Sequence, residues 1–355
     1  MILPDRILDG LLLVVAGLLL VILLFGAYAV VLRLRSMALE ARTRRLHAEW
    51  TQTIMEVLVP EAASGEAPPG AAMHEVVVEP RDRILFLDFV MDHARALRKP
   101  ERSLVEGLAT PHIREVLPEL RSTDPLRRAR GAEILGQLGL PSHHRELLAA
   151  LGDPSGIVAM VAARALAREG DPAHLEAILR ELPRLEDWSP HYLASLLLSF
   201  GPPAAPRLRA LMEDRGAPPG LRGVAAEALA GLNDLEAADL AASCLKEVTD
   251  ADLATDLLRL MAKLGHGDHV PGIRPFVYRS EPHVRAAALR ALGALGGAEG
   301  DMALLRLGLS DPSPWVAIHA ARGLRESGGE DELETLARSG GSLATLAGEV
   351  LLEGP

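Results

Sequence analysis

Residues 280–296, SEPHVRAAALRALGALG, hold one complete short helix, and much of the chain repeats that unit. Glu281 is placed to accept from the free amides of a first helical turn, and Pro282 suits that turn. Gly296 is expected to take the left-handed conformation that ends a helix. Stepping from this stop in both directions finds Gly139, Gly170, Gly201, Asn233, Gly265, Gly296 and Gly328, at spacings of 31 or 32 residues. The one non-glycine is asparagine, the next best residue for a left-handed turn. Four positions before each stop stands Leu135, Leu166, Leu197, Leu229, Met261, Leu292 or Leu324, a column of residues of the buried type. A period near 31 with two helices per repeat means a solenoid, in which each unit buries its apolar faces only against its neighbours.

The residues that punctuate the period are Asp124-Pro125, Asp153-Pro154, Glu281-Pro282-His283-Val284-Arg285 and Asp311-Pro312, each leading into an Ala/Leu-rich helix. Together they resemble HEAT repeats, and more narrowly the short HEAT-like repeats of the bilin-lyase type. The resemblance covers roughly residues 120–338. It implies an all-α fold: a right-handed α-solenoid of about seven helical hairpins with end caps, whose second-type helices line the concave surface. It is specific for fold and weak for function, because scaffolds, lyases, hydroxylases and nucleic-acid binders all use such repeats.

Composition agrees with a long Ala/Leu core, since 49% of the 355 residues are hydrophobic and only 3% aromatic. Arginine dominates the basic residues, with lysine at positions 99, 246 and 263 alone, a bias that fits a GC-rich bacterial source. Cys244 is the single cysteine, which excludes an intrachain disulfide and a cysteine-rich zinc site.

Ahead of the repeats, residues 11–32 run LLLVVAGLLLVILLFGAYAVVL without a charge, long enough to cross a bilayer. A cleaved signal peptide is the competing reading, through the small-x-small Ala27-Tyr28-Ala29. The length of the run, with Asp5 and Asp9 before it, favours an uncleaved transmembrane helix. Arg33, Arg35, Arg42, Arg44 and Arg45 follow it closely. By the positive-inside rule they predict a single-pass protein of the bacterial inner membrane, N-terminus outside and repeats in the cytoplasm. Residues 33–59 are expected to continue as a basic amphipathic helix. Trp50 would then rest on lipid headgroups, or the helix would be a solvated stalk or a self-association element.

The expected organisation is therefore a short outer segment at 1–10, a span at 11–32, the juxtamembrane helix at 33–59, and a flexible linker at 60–72. A helical N-terminal cap at 73–121, with a short extended piece at Val76-Val77-Val78, precedes repeats at 122–338 and a C-terminal cap at 339–355.

Taking Leu292 as buried places the columns at 284, 288, 291 and 295 in the core and those at 283, 287, 290 and 294 on the opposite face. The 290 column reads Glu133, Arg164, Ser195, Glu227, Arg259, Arg290, Arg322, polar throughout and mostly arginine. Trp188 with Tyr192, and Trp315 with His319, occupy matching positions on that face. Trp, Tyr and Arg are the residues most enriched where proteins bind proteins. Trp188, Tyr192, Trp315, His319, Arg164, Arg259, Arg290 and Arg322 are thus the candidate partner-binding residues; the alternative is that the tryptophans tuck against the preceding repeat and the arginines are solvated. Asp252, Asp256, Arg259 and Lys263, at spacings of four, three and four, predict a surface salt-bridge row along one helix.

Metal chemistry has two candidates, His143-His144 and His266-Gly267-Asp268-His269, both taken as ordinary surface histidines. HEAT-like hydroxylases hold iron through several His-Glu pairs, and here there is one, His74-Glu75. Residues 1–45 carry six basic and three acidic groups, a net of +3, so the remainder carries −14 of the total −11, the wrong sign for a nucleic-acid surface. No phosphate loop or nucleophile elbow is present. The expectation is a non-catalytic, membrane-anchored scaffold without cofactor or metal, holding a membrane-associated protein partner. A lyase-like or metal-dependent modifying enzyme using the same groove is the alternative.

Overall fold

The architecture of this computed structural model follows from short apolar helices stopped by tight turns, and it describes residues 5–58, 78–139, 141–185, 187–296 and 298–353. The expected linker at 60–72 and His74-Glu75 lie outside the described residues. So do Val76 and Val77 of the expected extended piece; Val78 is described and buried. Among the described residues every regular element is a helix or a 3-10 turn. The helices fall in two units, residues 1–116 and 117–355.

The first unit contains α1 (Asp5–Leu58), α2 (Arg83–Arg95) and α3 (Lys99–Ala109). Its core is aromatic. Trp50 and Ile54 of α1 are buried, with the Trp50 ring edge-on to Phe86 at 5.2 Å and tilted against Phe89 at 5.5 Å. His47 packs on Phe89, and Phe86 meets His112 edge-on.

Among the described residues no helix is long and apolar enough to cross a membrane. This overturns the expected span at 11–32, its orientation, and the single-pass inner-membrane localisation. Residues 11–32 are not an element of their own: they belong to α1, one continuous helix of 54 residues whose later turns are charged and packed on protein. Trp50 lies in the aromatic core rather than on headgroups. The arginines read as membrane-flanking have protein surroundings or none: Arg42 binds both carboxylate oxygens of Asp82 at 2.7 and 2.9 Å, Arg45 pairs with Glu49 one turn on, and Arg44 Nε reaches the Glu40 carbonyl. Arg33 and Arg35 are exposed.

The second unit is built of hairpins: α4 (Pro125–Leu138) with α5 (His144–Leu151), α6 (Gly156–Ala167) with α7 (Pro172–Glu181), α8 (Pro190–Leu198) with α9 (Ala205–Glu213), and α10 (Pro219–Leu232) with α11 (Glu236–Leu245). Then come α12 (Ala251–Leu264) with the one-turn α13 (Val270–Ile273), α14 (Pro282–Leu295) with α15 (Glu299–Gly308), α16 (Pro314–Glu326) with α17 (Glu330–Ser339), and a closing α18 (Ser342–Leu352). The even-numbered helices α4 to α16 pack side by side in chain order as a first layer, and the odd-numbered helices form a second layer behind them. Each first-layer helix buries its column residue: Leu135, Leu166, Leu197, Leu229, Met261, Leu292 and Leu324 are at most 1% exposed. Removing such a side chain from water contributes about 1.5–3 kcal/mol.

Neighbouring hairpins are also tied by arginine. Arg285 spans to the next repeat, with Nε 2.8 Å from Asp311 Oδ2 and a terminal nitrogen 2.8 Å from Oδ1, while its other terminal nitrogen donates to the carbonyls of Arg279 and Ser280. Arg128 repeats the arrangement on Asp153 and the carbonyls of Ser122 and Thr123. Asp153 and Asp311 do not cap helices as Asp124 does. Each accepts from the amide two residues on and is held below the usual carboxylate range, first by its arginine.

The helix stops need correction at two places. Gly139, Gly170, Gly201, Asn233 and Gly328 have positive φ, but Gly265 and Gly296 are extended, with φ of −71° and −77°. Glycine is needed there for space. A Cβ at Gly296 would stand 2.5 Å from the Leu292 carbonyl oxygen and 3.1 Å from Asp301 Cβ, the buried aspartate that accepts from Arg274. Glu281 precedes α14 without capping it, its carboxylate being taken by Ser280 and Arg279.

Candidate functional site

The open face of the first layer is formed by residues thirteen, six and two positions before each stop. In repeats four to seven it closes into a groove of about 520 Å³ lined by Glu227, Asp256, Arg259, Lys263, Arg290 and Glu326, with Ala230, Leu260, Ala262 and Ala294 between them. The expected 287 column is corrected, because Ala287 and Val224 are buried and His319 is only 8% exposed. Helices stacked this closely cover the residues nine before the stop as well as those eight before it.

That burial gives two residues unusual chemistry. The Asp256 carboxylate lies against Gly223, where a Cβ would stand 2.3 Å from Oδ2. Burial pushes its pKa up to about 6, with Glu227 adding to the rise and Arg259, at 3.3 Å, opposing it. His319 is held below the ordinary histidine value, first by burial and then by the guanidinium groups of Arg322, Arg290 and Arg259. Its Nδ1 has no hydrogen-bond partner. The imidazole is therefore a neutral support beneath the exposed Trp315, whose ring it meets edge-on at 4.6 Å.

The groove brings together Arg259 and Arg290 of the expected set. Trp188, Tyr192 and Arg164 lie on earlier repeats: Trp188 is half-buried, stacked on Tyr192 at 5.3 Å with its Nε1 over Gly156, and Arg164 donates to the Tyr192 hydroxyl at 3.4 Å. Trp315 is 55% exposed. Arg322 is engaged by Glu353 after α18. Among the described residues Arg290 is exposed and makes no ion pair.

The expected salt-bridge row along α12 does not form as such. Asp252 reaches His283 of the next repeat at 3.5 Å, and Lys263 donates to the Ala230 carbonyl of the preceding one at 2.7 Å. Leu126 and Ile157, 67% and 48% exposed, share the tryptophan column and extend the apolar part of the face through the first two repeats. Stepping back by one period from Trp188 was the signal that pointed to them.

No known family and no curated protein matches the chain. Solved structures that do match are those of the karyopherin Kap121p. Kap121p bound to Pho4p aligns at 15% identity and a TM-score of 0.43, over 79% of this chain and 38% of that one. A Kap121p mutant aligns at 16% and 0.45, over 88% and 42%, and Kap121p bound to RanGTP at 15% and 0.43, over 79% and 37%. The chain thus spans about two fifths of the length of these structures. Its own layers and turns define the class, a solenoid of helical-hairpin repeats.

Proposed function

We propose that the chain is a non-catalytic scaffold that holds a protein partner on the open face of its first layer. Arg290 carries this reading: a cation without a carboxylate partner, set in a groove of a chain whose net charge is −11. Arg259 and Arg164 stand on the same face, and Arg322 joins them when Glu353 gives way to an acidic segment of the partner. Trp315, Trp188 and Tyr192 supply apolar anchors, with Arg and aromatic side chains being those that dominate binding energy. The exposed Leu126 and Ile157 lengthen the contact.

The test is a crosslinking pulldown that compares the intact protein with a Trp315→Ala/Arg290→Glu variant of unchanged helicity. Partners are expected to be lost from the variant, and binding of an isolated partner to weaken as salt rises. An unchanged partner set would move the site off this face.

A further inference from the structure

Away from the groove, the turns that join the two layers bring two histidines and a glutamate from neighbouring repeats together. His144 opens α5, His174 sits in the first turn of α7, and Glu169 lies just before Gly170, whose φ of +69° reverses the chain after α6. Asp171 caps α7 by accepting from the Ala173 amide at 2.9 Å, which fixes the turn that carries His174. His144 Nε2 lies 2.7 Å from Glu169 Oε2, and His174 Nδ1 lies 3.6 Å from the same oxygen. The two imidazole rings stand at 87° with centroids 4.8 Å apart.

These groups are close without satisfying one another. His174 is 5% exposed, yet its Nδ1 has no hydrogen-bond partner, and His144 Nε2 and Glu169 Oε1 are buried in the same condition. Each such atom costs roughly 1–3 kcal/mol. One cation at the centre would satisfy the ligand set at once, since one donor atom from each residue lies within 4.8 Å of the others.

We propose that His144, Glu169 and His174 bind a divalent transition-metal ion of the zinc class. Two imidazole nitrogens and a carboxylate suit such an ion and do not suit calcium or magnesium, which take oxygen ligands. Tetrahedral bonds of zinc to nitrogen and oxygen set ligand atoms about 3.3 Å apart. The observed 2.7 and 3.6 Å bracket that separation, so small side-chain adjustments complete the site. The fourth position is left to water. His143 Nδ1 and Glu146 Oε2, 4.0 Å apart and also buried without partners, stand on the same turn. The bound ion bridges α5 and α7 and so joins two repeats.

The chain holds a second group of metal-ligand residues, Asp239, His266 and His269, which serves as the internal control. There the ring nitrogens of His269 are already used, Nδ1 by the His266 amide and Nε2 by Asp239 at 2.9 Å, and Asp239 is exposed.

The experiment is calorimetric titration of the full chain, stripped with chelator, with zinc chloride alone, followed by thermal unfolding with and without zinc. One saturable site is expected, weakened about 100-fold or more by His174→Ala or His144→Ala and unchanged by His269→Ala. Zinc is expected to raise the unfolding midpoint of the natural chain and not of His174→Ala. Glu169→Gln, which keeps size and hydrogen-bonding capacity, is the variant to use should the alanine variants fold poorly; it too is expected to lose affinity. The absence of a saturable site, or equal affinity in Glu169→Gln, or loss of the site on His269→Ala, would overturn the proposal.

Discussion

Arg285 shows how much one side chain can do between repeats. Its guanidinium satisfies two carbonyls of its own turn and both oxygens of Asp311 in the next, at a place where neither partner is more than 14% exposed. Arg285→Ala is expected to cost about 2 kcal/mol, because hydrogen bonds to charged groups are lost and Asp311 is left half-solvated. That corresponds to roughly 4–8 °C in Tm. Arg45→Ala, on an exposed pair, is the comparison and is expected to change stability by less than about 0.5 kcal/mol. Since Asp311 is depressed, its contribution is present above the ordinary carboxylate pKa and is lost as pH falls through the folded value. The acid limb of the Tm–pH curve should therefore flatten in Arg285→Ala. Asp256 works in the opposite direction. Its folded pKa is raised from 3.8 to about 6, so its contribution is intact below pH 3.8 and is lost as pH rises toward 6. Asp256→Asn is expected to remove that decline and to be more stable at pH 7 by on the order of 1–2 kcal/mol, the carboxylate being partly in contact with water. Chemical denaturation at pH 4 and pH 7 checks both the sign and the size.

Among the elements, the crossing of α14 and α16 is the closest constraint on the face that carries Arg290. A Cβ at Gly293 would stand 2.3 Å from Gly323 Cα, and one at Gly323 would stand 2.7 Å from Leu305. The two helices meet backbone to backbone, and this sets the spacing between Arg290 and Trp315. Gly293→Val must push α16 away, at about 1–3 kcal/mol by the usual cost of overpacking. It should also weaken partner binding. The helices themselves were legible in the string: the apolar column, the stops and the Asp124-Pro125 start all give helix ends that the structure contains. What the string misjudged was the breadth of the buried stripe. Counting from Leu292 assigns residue 287 to the open face, whereas helix neighbours on both sides enclose it and bury Ala287 and His319.

For the whole molecule, contact only with neighbours has a measurable consequence. In the second unit, among the described residues, helices pack on those adjacent in the array and not across it. Stability is then a sum of repeat and interface terms. Gly293→Val is expected to speed amide exchange in α14 and α16 and leave α4 and α6 unchanged, which exchange measured by mass spectrometry resolves. A uniform rise along the unit would show one cooperative core instead.

From the residues alone, the period, the helix ends and the arginine-rich column were available, because each is a property of one helix repeated at fixed spacing. The all-helical layered fold follows from them by packing necessity. The apolar run at 11–32 was legible only as a run. That it belongs to one long helix, whose later turns bury Trp50 and Ile54 against aromatic rings, depends on contacts from residues 86–112. Asp256 and Lys263 looked like members of one row because a string shows neighbours along a helix and hides those across it. His144 and His174 stand 30 residues apart, close to one period, and only stacking of the second layer sets them around Glu169. Tertiary structure made the decision wherever chemistry needs groups from two repeats, since local propensity acts within a helix while charge, desolvation and ligand geometry act between them.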